Sequence, residues 1–246
     1  MEHFWQWFSG LFANWGVVWK NFDYLLVGAY PQGPLGGLAM SIVMAVIGIF
    51  GAFWIGLAAG LMRLSKRPWL SWPALIYIEI IRGTPLLMVI FWFYFFAPLL
   101  MNQSVPETES AIAAFIVFTG AYIAEIVRAG VLAIPKGQME AARGSGLSHT
   151  QAMVHIILPQ ALRNMIPSFV NQFVSLTKDT SLAMIINVNE LTLAARHVYT
   201  RTMKAPMEIF LAIALLYFAI CWVLTAFSRR LERRMARYQA RTSHDR

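Results

Sequence analysis

"LGGLAMSIVMAVIGIFGAFWIGLAAGLM", residues 35–62, carries no charged side chain anywhere along its length. About 20 helical residues, each rising about 1.5 Å, cross the hydrocarbon layer of a bilayer. An ionisable-free stretch of this length is a membrane helix rather than the core of a soluble domain. Residues 209–228 form a second such run. Composition agrees: 58% of the 246 residues are hydrophobic and 13% are charged, whereas soluble domains carry about 25% charged residues.

Three weaker candidates lie between these runs. Residues 74–97 carry Glu79 and Arg82, residues 110–134 carry Glu125 and Arg128, and residues 164–187 carry Lys178 and Asp179. The chain therefore reads as all-α: a polytopic membrane bundle of five transmembrane helices in one domain. The crowded aromatics of "FWFYFF" (91–96) suit a lipid- or interface-facing belt.

Five spans put the termini on opposite sides, and basic residues choose between them. Arg63, Lys66 and Arg67, then Lys136, Arg143 and Arg163, share one side with the tail arginines 229, 230, 233, 234, 237, 241 and 246. Lys20, Arg196, Arg201 and Lys204 fall on the other. The C-terminus is expected in the cytoplasm and the N-terminus outside. Orientation accounts for the net charge of +8, so no nucleic-acid partner is called for. The tail arginines recur near helical spacing, as beside anionic headgroups.

The first 34 residues lack the basic start of a signal peptide. Phe4, Phe8, Leu11, Trp15 and Trp19 recur near helical spacing, so a helix lying in the outer interface is expected there. Tyr30-Pro31 to Gly37 then breaks the chain before the first span. The single cysteine, Cys221, excludes an internal disulfide.

Several chemistries are missing. No G-x-x-x-x-G-K-[ST] phosphate loop occurs, and the five histidines are scattered without a metal-ligand pattern. Ser145, in "ARGSGLS", has no base placed beside it by sequence; it reads as a helix-end residue rather than a nucleophile.

The segment "EAARGSGLSHTQAMVHIILP" (140–159) separates two apolar stretches. Pro135 can open a helix that "KGQMEAARGS" continues. Gly146 can turn with positive φ, and Ser148 with Gln151 forms a capping box. Ala152, Met153, Ile156 and Ile157 then make one apolar stripe, and Pro159 should limit the second helix. Helix, glycine turn, helix suits either an amphipathic hairpin resting on lipid or a docking knob with Glu140 and Arg143 at its rim. The residues alone leave both open.

The spacing of Glu140-Ala141-Ala142, Gly146 and Ile156 to Pro159 resembles the cytoplasmic loop of bacterial ABC importer permeases. "RGTPLL" (82–87), "AYIAEIVRAG" (121–130), "IPKGQMEAA" (134–142) and "KDTSL" (178–182) resemble the polar amino acid subgroup of that family. The likeness covers roughly residues 35–228, and through "LLMVIFWFYFFAP" (86–98) it is greatest to glutamate/aspartate permeases. It implies a type I ABC importer permease domain over 35–228; the periplasmic interfacial segment before it (1–34) and the basic cytoplasmic tail after it (229–246) lie outside the likeness and are expected from spacing and charge. It implies a coupling loop at about 135–163, carried by Glu140, Ala141, Ala142, Gly146, Ile156, Leu158 and Pro159. The implied partners are two copies of a separate ATPase, which would hold the ATP and magnesium, a second permease copy or paralogue, and a periplasmic solute-binding protein. The chain itself is expected to be a transport subunit of the bacterial inner membrane with no cofactor of its own.

Ionisable groups at membrane depth cost at least about 2.5–3.5 kcal/mol each and so suggest function. Glu79 with Arg82, and Glu125 with Arg128, stand three apart and are expected to pair on one helix face. A cargo with ammonium and carboxylate groups would use Lys178, Asp179, Thr180 and Ser181, and Arg82 with Thr84 if "RGTP" turns inward. Glutamate or aspartate is the favoured cargo. The alternatives are a cationic or opine-like solute, or a stand-alone channel or secondary transporter.

Overall fold

The computed structural model describes residues 14–244, and among these it is helical throughout, with only isolated bridges such as Gly28 to Leu35 and Gly37 to Glu190. Its contacts divide the chain into two compact units, each assembled from three separated stretches. One comprises Met1–Ile47, Ile90–Ala114 and Ser175–Trp222; the other comprises Gly48–Val89, Phe115–Val174 and Val223–Arg246.

The uncharged run at 35–62 forms α3, Gly37–Arg63, after two short helices, α1 (Trp15–Lys20) and α2 (Phe22–Val27). Phe4, Phe8 and Leu11 lie outside the described residues. Trp15 and Trp19 fall on α1, but the segment does more than lie in an interface. Val18 and Leu25 are buried in a core with Leu191, Ala195 and Ile209, while Trp19 stays 70% exposed.

Among the described residues, three helices are long and apolar enough to cross a membrane: α3, α7 (Glu107–Leu132) and the first 25 residues of α12 (Pro206–His244). The candidate at 74–97 is not one straight helix. It divides into α4 (Pro68–Arg82) and a second arm that starts with α5 (Leu86–Phe91) and ends with α6 (Ala97–Met101), bent by 109° at the break. Pro85 has no N–H to continue α4, and its ring disfavours helical geometry at Thr84. The Ile81 carbonyl, which the N–H of residue 85 would have reached, accepts from the Thr84 N–H at 3.2 Å, and the Thr84 hydroxyl donates to the Ile80 carbonyl at 2.8 Å. A π-helical turn at Trp92–Phe96 follows, leaving Trp92, Phe95 and Phe96 exposed, as an aromatic belt requires.

Residues 164–187 lie on α10 (Leu158–Asp179) and the 3-10 turn Thr180–Ile186, which follow α8 (Lys136–Gly144) and α9 (His149–Ala152). This stretch is helical but too polar to join the three apolar spans. After it, α11 (Leu191–Thr202) leads into α12, whose spanning part continues without a break into the tail.

Glycine sets how closely α3 meets α7. A Cβ on Gly56 would stand 2.5 Å from Ile123 and 2.7 Å from the Gly120 carbonyl oxygen. One on Gly60 would stand 2.7 Å from the Ala124 carbonyl oxygen. Backbone cannot retreat as a side chain can, so these positions require glycine for the contact, as in small-residue packing of membrane helices.

Candidate functional site

The 136–159 segment folds as its local chemistry dictates. Pro135 stands as the N-cap of α8, and Gly146 takes φ +88, the left-handed region. Ser148 and Gln151 close the capping box: the Gln151 N–H donates to Ser148 Oγ at 3.2 Å, and the Ser148 N–H donates to Gln151 Oε1 at 2.8 Å. Ser145 is a helix-end residue whose hydroxyl donates to the Ala141 carbonyl at 3.0 Å.

Pro159 does not end the second helix. A π-helical turn, Met153–Ile157, precedes it and carries α9 directly into α10. A wider turn absorbs both the missing N–H and the displaced carbonyl that proline imposes.

The apolar stripe also points elsewhere than a docking knob requires. Ala152 and Ile157 are buried, and Ile157, with the half-buried Met153, Ile156 and Leu158, packs in one core with Val127, Val131, Ile134 and Met165. These side chains anchor the hairpin to its own unit. Glu140, Ala141, Arg143, Gly146 and Pro159 remain exposed, and Ala142 is turned inward. The outer surface is thus polar and glycine-rich, and an apolar root fixes its pose.

Higher on the same unit, Arg82, Tyr122, Glu125, Asn164, Ser168 and Gln172 line a groove of about 420 Å³. Glu125 sits among two guanidiniums. Arg128 Nε donates to both carboxylate oxygens at 3.1 Å, and its Nη2 donates to Oε1 at 2.6 Å. Arg82 Nη1 lies 3.8 Å from Oε2, and its guanidinium stands 5.5 Å over the Tyr122 ring. The expected Glu125–Arg128 pair therefore forms. Arg82 does not pair with Glu79; it turns across to Glu125, because the bend at Gly83–Pro85 ends α4 beside α7. Arg82 and Glu125 thus place one cation and one anion on the wall of a groove that also offers hydroxyl and amide groups, and Arg128 pairs with Glu125 from outside that wall.

Among the residues singled out from sequence, Arg82 belongs to this groove. Thr84 caps the end of α4. Lys178 to Ser181 lie in the other unit. There Lys178 is exposed, Asp179 and Ser181 are half-buried, and Thr180 is fully buried with its hydroxyl donating to the Thr177 carbonyl at 2.8 Å. The sequence reading missed Tyr122, Asn164 and Ser168. A signal existed in the exposed or half-buried positions Asn164, Ser168, Asn171, Ser175 and Lys178, which recur at alternating spacings of four and three along one helix face.

A second carboxylate was missed altogether. Glu190 is fully buried at the N-cap of α11, accepting from the Leu193 N–H, the Thr192 N–H and the Tyr217 hydroxyl, each at 2.8 Å. Burial pushes its pKa up, and hydrogen bonds from Thr192, Tyr217 and Leu193 pull it back part of the way. Ser41 Oγ lies 3.5 Å from the same carboxylate and accepts from the Leu191 N–H at 3.2 Å. This cluster joins α3, α11 and α12 and has the character of a structural bolt.

The family model described as "Binding-protein-dependent transport system inner membrane component" matches residues 52–237, and the chain belongs to that family. It is 43% identical over 212 residues to the probable glutamine ABC transporter permease protein GlnP of Bacillus subtilis (strain 168), covering 84% of this chain and 97% of that one. It is 37% identical to the L-cystine transport system permease protein TcyB of the same organism, covering 94% and 95%. A crystal structure of an amino acid ABC transporter with histidines shares the fold with TM-score 0.75 at 32% identity, over 80% of this chain and 92% of that one. The fold is that of a type I ABC permease. The protein is a membrane-embedded permease of an amino acid ABC importer, a transport subunit and not an enzyme; in this family the ATPase is a separate subunit.

Proposed function

We propose that this permease carries polar amino acids inward across the bacterial inner membrane, and that the 135–163 segment couples it to a separate ATPase. The full assembly has two ATPase copies holding ATP and magnesium, a second permease, identical or paralogous, and a periplasmic solute-binding protein. The chain uses five spans, α10 with its 3-10 extension being the fourth, with the N-terminus periplasmic and the C-terminus cytoplasmic.

The observation that carries the coupling role is the rooted hairpin. Its exposed polar tip stands on a buried apolar base, so a push on the tip moves the packed helices together rather than bending the loop. Gly146→Asp strains the positive-φ turn, and Glu140→Lys reverses the exposed charge. Each variant is expected to insert at wild-type level and lose ATP-driven uptake. Wild-type uptake by both would overturn the coupling role. Orientation has its own test, with a cysteine at Ala240 in a Cys221→Ser background. Labelling of that cysteine from outside intact cells would invert the topology.

The cargo proposal rests on the groove's charge. Glu125 suits an ammonium and Arg82 a carboxylate, and Arg128, paired with Glu125, is the further cation on which the glutamate or aspartate reading rests. Lys178, Asp179 and Ser181, in the other unit, are a separate set of candidate solute contacts. Glutamine is the second reading, favoured by the name of the GlnP relative and by the amides of Asn164 and Gln172. Uptake of labelled glutamate, challenged with excess glutamine or arginine, separates these. Strong competition by glutamine with weak glutamate uptake would replace the acidic cargo, and competition by arginine alone would favour a cationic solute.

A further inference from the structure

A second groove, of about 330 Å³, runs between the end of α3 and the start of α4 within one unit. Ile55, Ala58, Ala59 and Met62 line it from α3, and Ala74 and Tyr77 from α4. The four α3 positions follow the three-and-four spacing of one helix face and reach the last turn of that helix. The alanines leave the room between the helices and keep the groove apolar. Its one polar atom, the Tyr77 hydroxyl, is already engaged, donating to the Val117 carbonyl at 2.6 Å. The surrounding surface is bulky and greasy: Trp54, Trp69, Trp72 and Ile76 are all more than half exposed.

The connection between the two lining helices is short and basic. Arg63 directly follows Met62 of the groove, and the exposed Lys66 and Arg67 precede α4, so the loop that joins the two lining helices carries three cations. An apolar groove whose connecting loop is basic and whose flanks carry exposed tryptophans matches an amphiphile with an acyl tail and an anionic head. We propose that this groove holds an acyl chain of an anionic phospholipid, with Arg63, Lys66 and Arg67 binding its phosphate. Basic pockets between membrane helices bind anionic headgroups by the same physics, and the tryptophans hold the level of the interface. A second permease chain is a poorer fit. The groove offers no polar group to register a partner helix.

Two variants test this in the purified, assembled importer. Ala58→Phe fills the slot from an exposed position, and a combined Arg63→Gln, Lys66→Gln, Arg67→Gln variant removes the headgroup site without touching the slot. Native mass spectrometry after delipidation and re-addition of an equal phosphatidylglycerol and phosphatidylcholine mixture is expected to show phosphatidylglycerol retained by the wild type. Both variants should weaken that retention, the glutamine variant by at least about tenfold, given the attraction each lost cation supplies. Equal retention of the two lipids by the wild type, or unchanged retention in the glutamine variant, overturns the proposal. Should Ala58→Phe separate the permeases while phosphatidylglycerol remains bound, the groove is a subunit contact and the lipid assignment fails.

Discussion

Two carboxylates in this protein meet opposite environments. Glu125 lies in a groove, 28% exposed, between two guanidiniums. Glu190 is fully buried with no cation in contact, held by neutral donors from two backbone amides and the Tyr217 hydroxyl. Burial of a charge is tolerated when every lone pair finds a donor, and such a site is fixed in geometry. A partly wet ion cluster gains less stability but can exchange partners with a solute. The contrast separates a bolt from a binding surface.

The comparison breaks most sharply at Glu190. Glu190→Ala removes an N-cap worth about 0.5–2 kcal/mol and strands buried donors at about 1–3 kcal/mol. A total loss of about 1.5–5 kcal/mol is expected from these two effects together. Thermal unfolding of the solubilised importer should register it, along with reduced accumulation in cells. A shift no larger than that of a surface substitution would show that Glu190 is not the bolt.

A smaller effect sharpens the same point. Tyr217→Phe deletes one donor to Glu190 and leaves the ring in place, so it should cost about 1.5–3 kcal/mol, as for a hydrogen bond to a charged group. The Glu190→Gln, Tyr217→Phe double variant should lose less than the sum of the singles, because the two groups share one interaction. Additive losses would uncouple them.

The smallest stability change belongs to Glu125→Gln, at about 0–1 kcal/mol, because the cluster is open to water. Uptake should nevertheless fall by about tenfold or more, the loss expected when a charge-assisted hydrogen bond to a solute disappears. A variant with a lowered melting temperature and normal uptake would exchange the roles assigned to the two carboxylates.

Much of the local structure was legible because its causes are local. The Ser148–Gln151 box and the turn at Gly146 each depend on a few consecutive residues, and both formed as the spacing required. The apolar stripe of 152–157 was legible as a stripe but not in its direction. Periodicity marks a face without saying what covers it, and here the protein's own Val127 and Val131 do. The break of the second candidate span shows the same limit. Residues 74–97 read as a single span, yet the chain breaks at Gly83–Pro85 and its two arms meet at 109°.

By itself the sequence determined that this is a helical membrane protein, because crossing a hydrocarbon layer sets a length requirement that a linear run such as 35–62 either meets or fails. It also determined the shape of the 140–159 hairpin, through caps and a glycine that act within a turn or two. Only the tertiary structure decided that Arg82 answers to Glu125 instead of Glu79, and that Glu190, 149 residues from Ser41, is buried beside it. Partners distant along the chain leave no periodic trace in it; they are selected when helices pack and each polar group must find a donor, an acceptor or water.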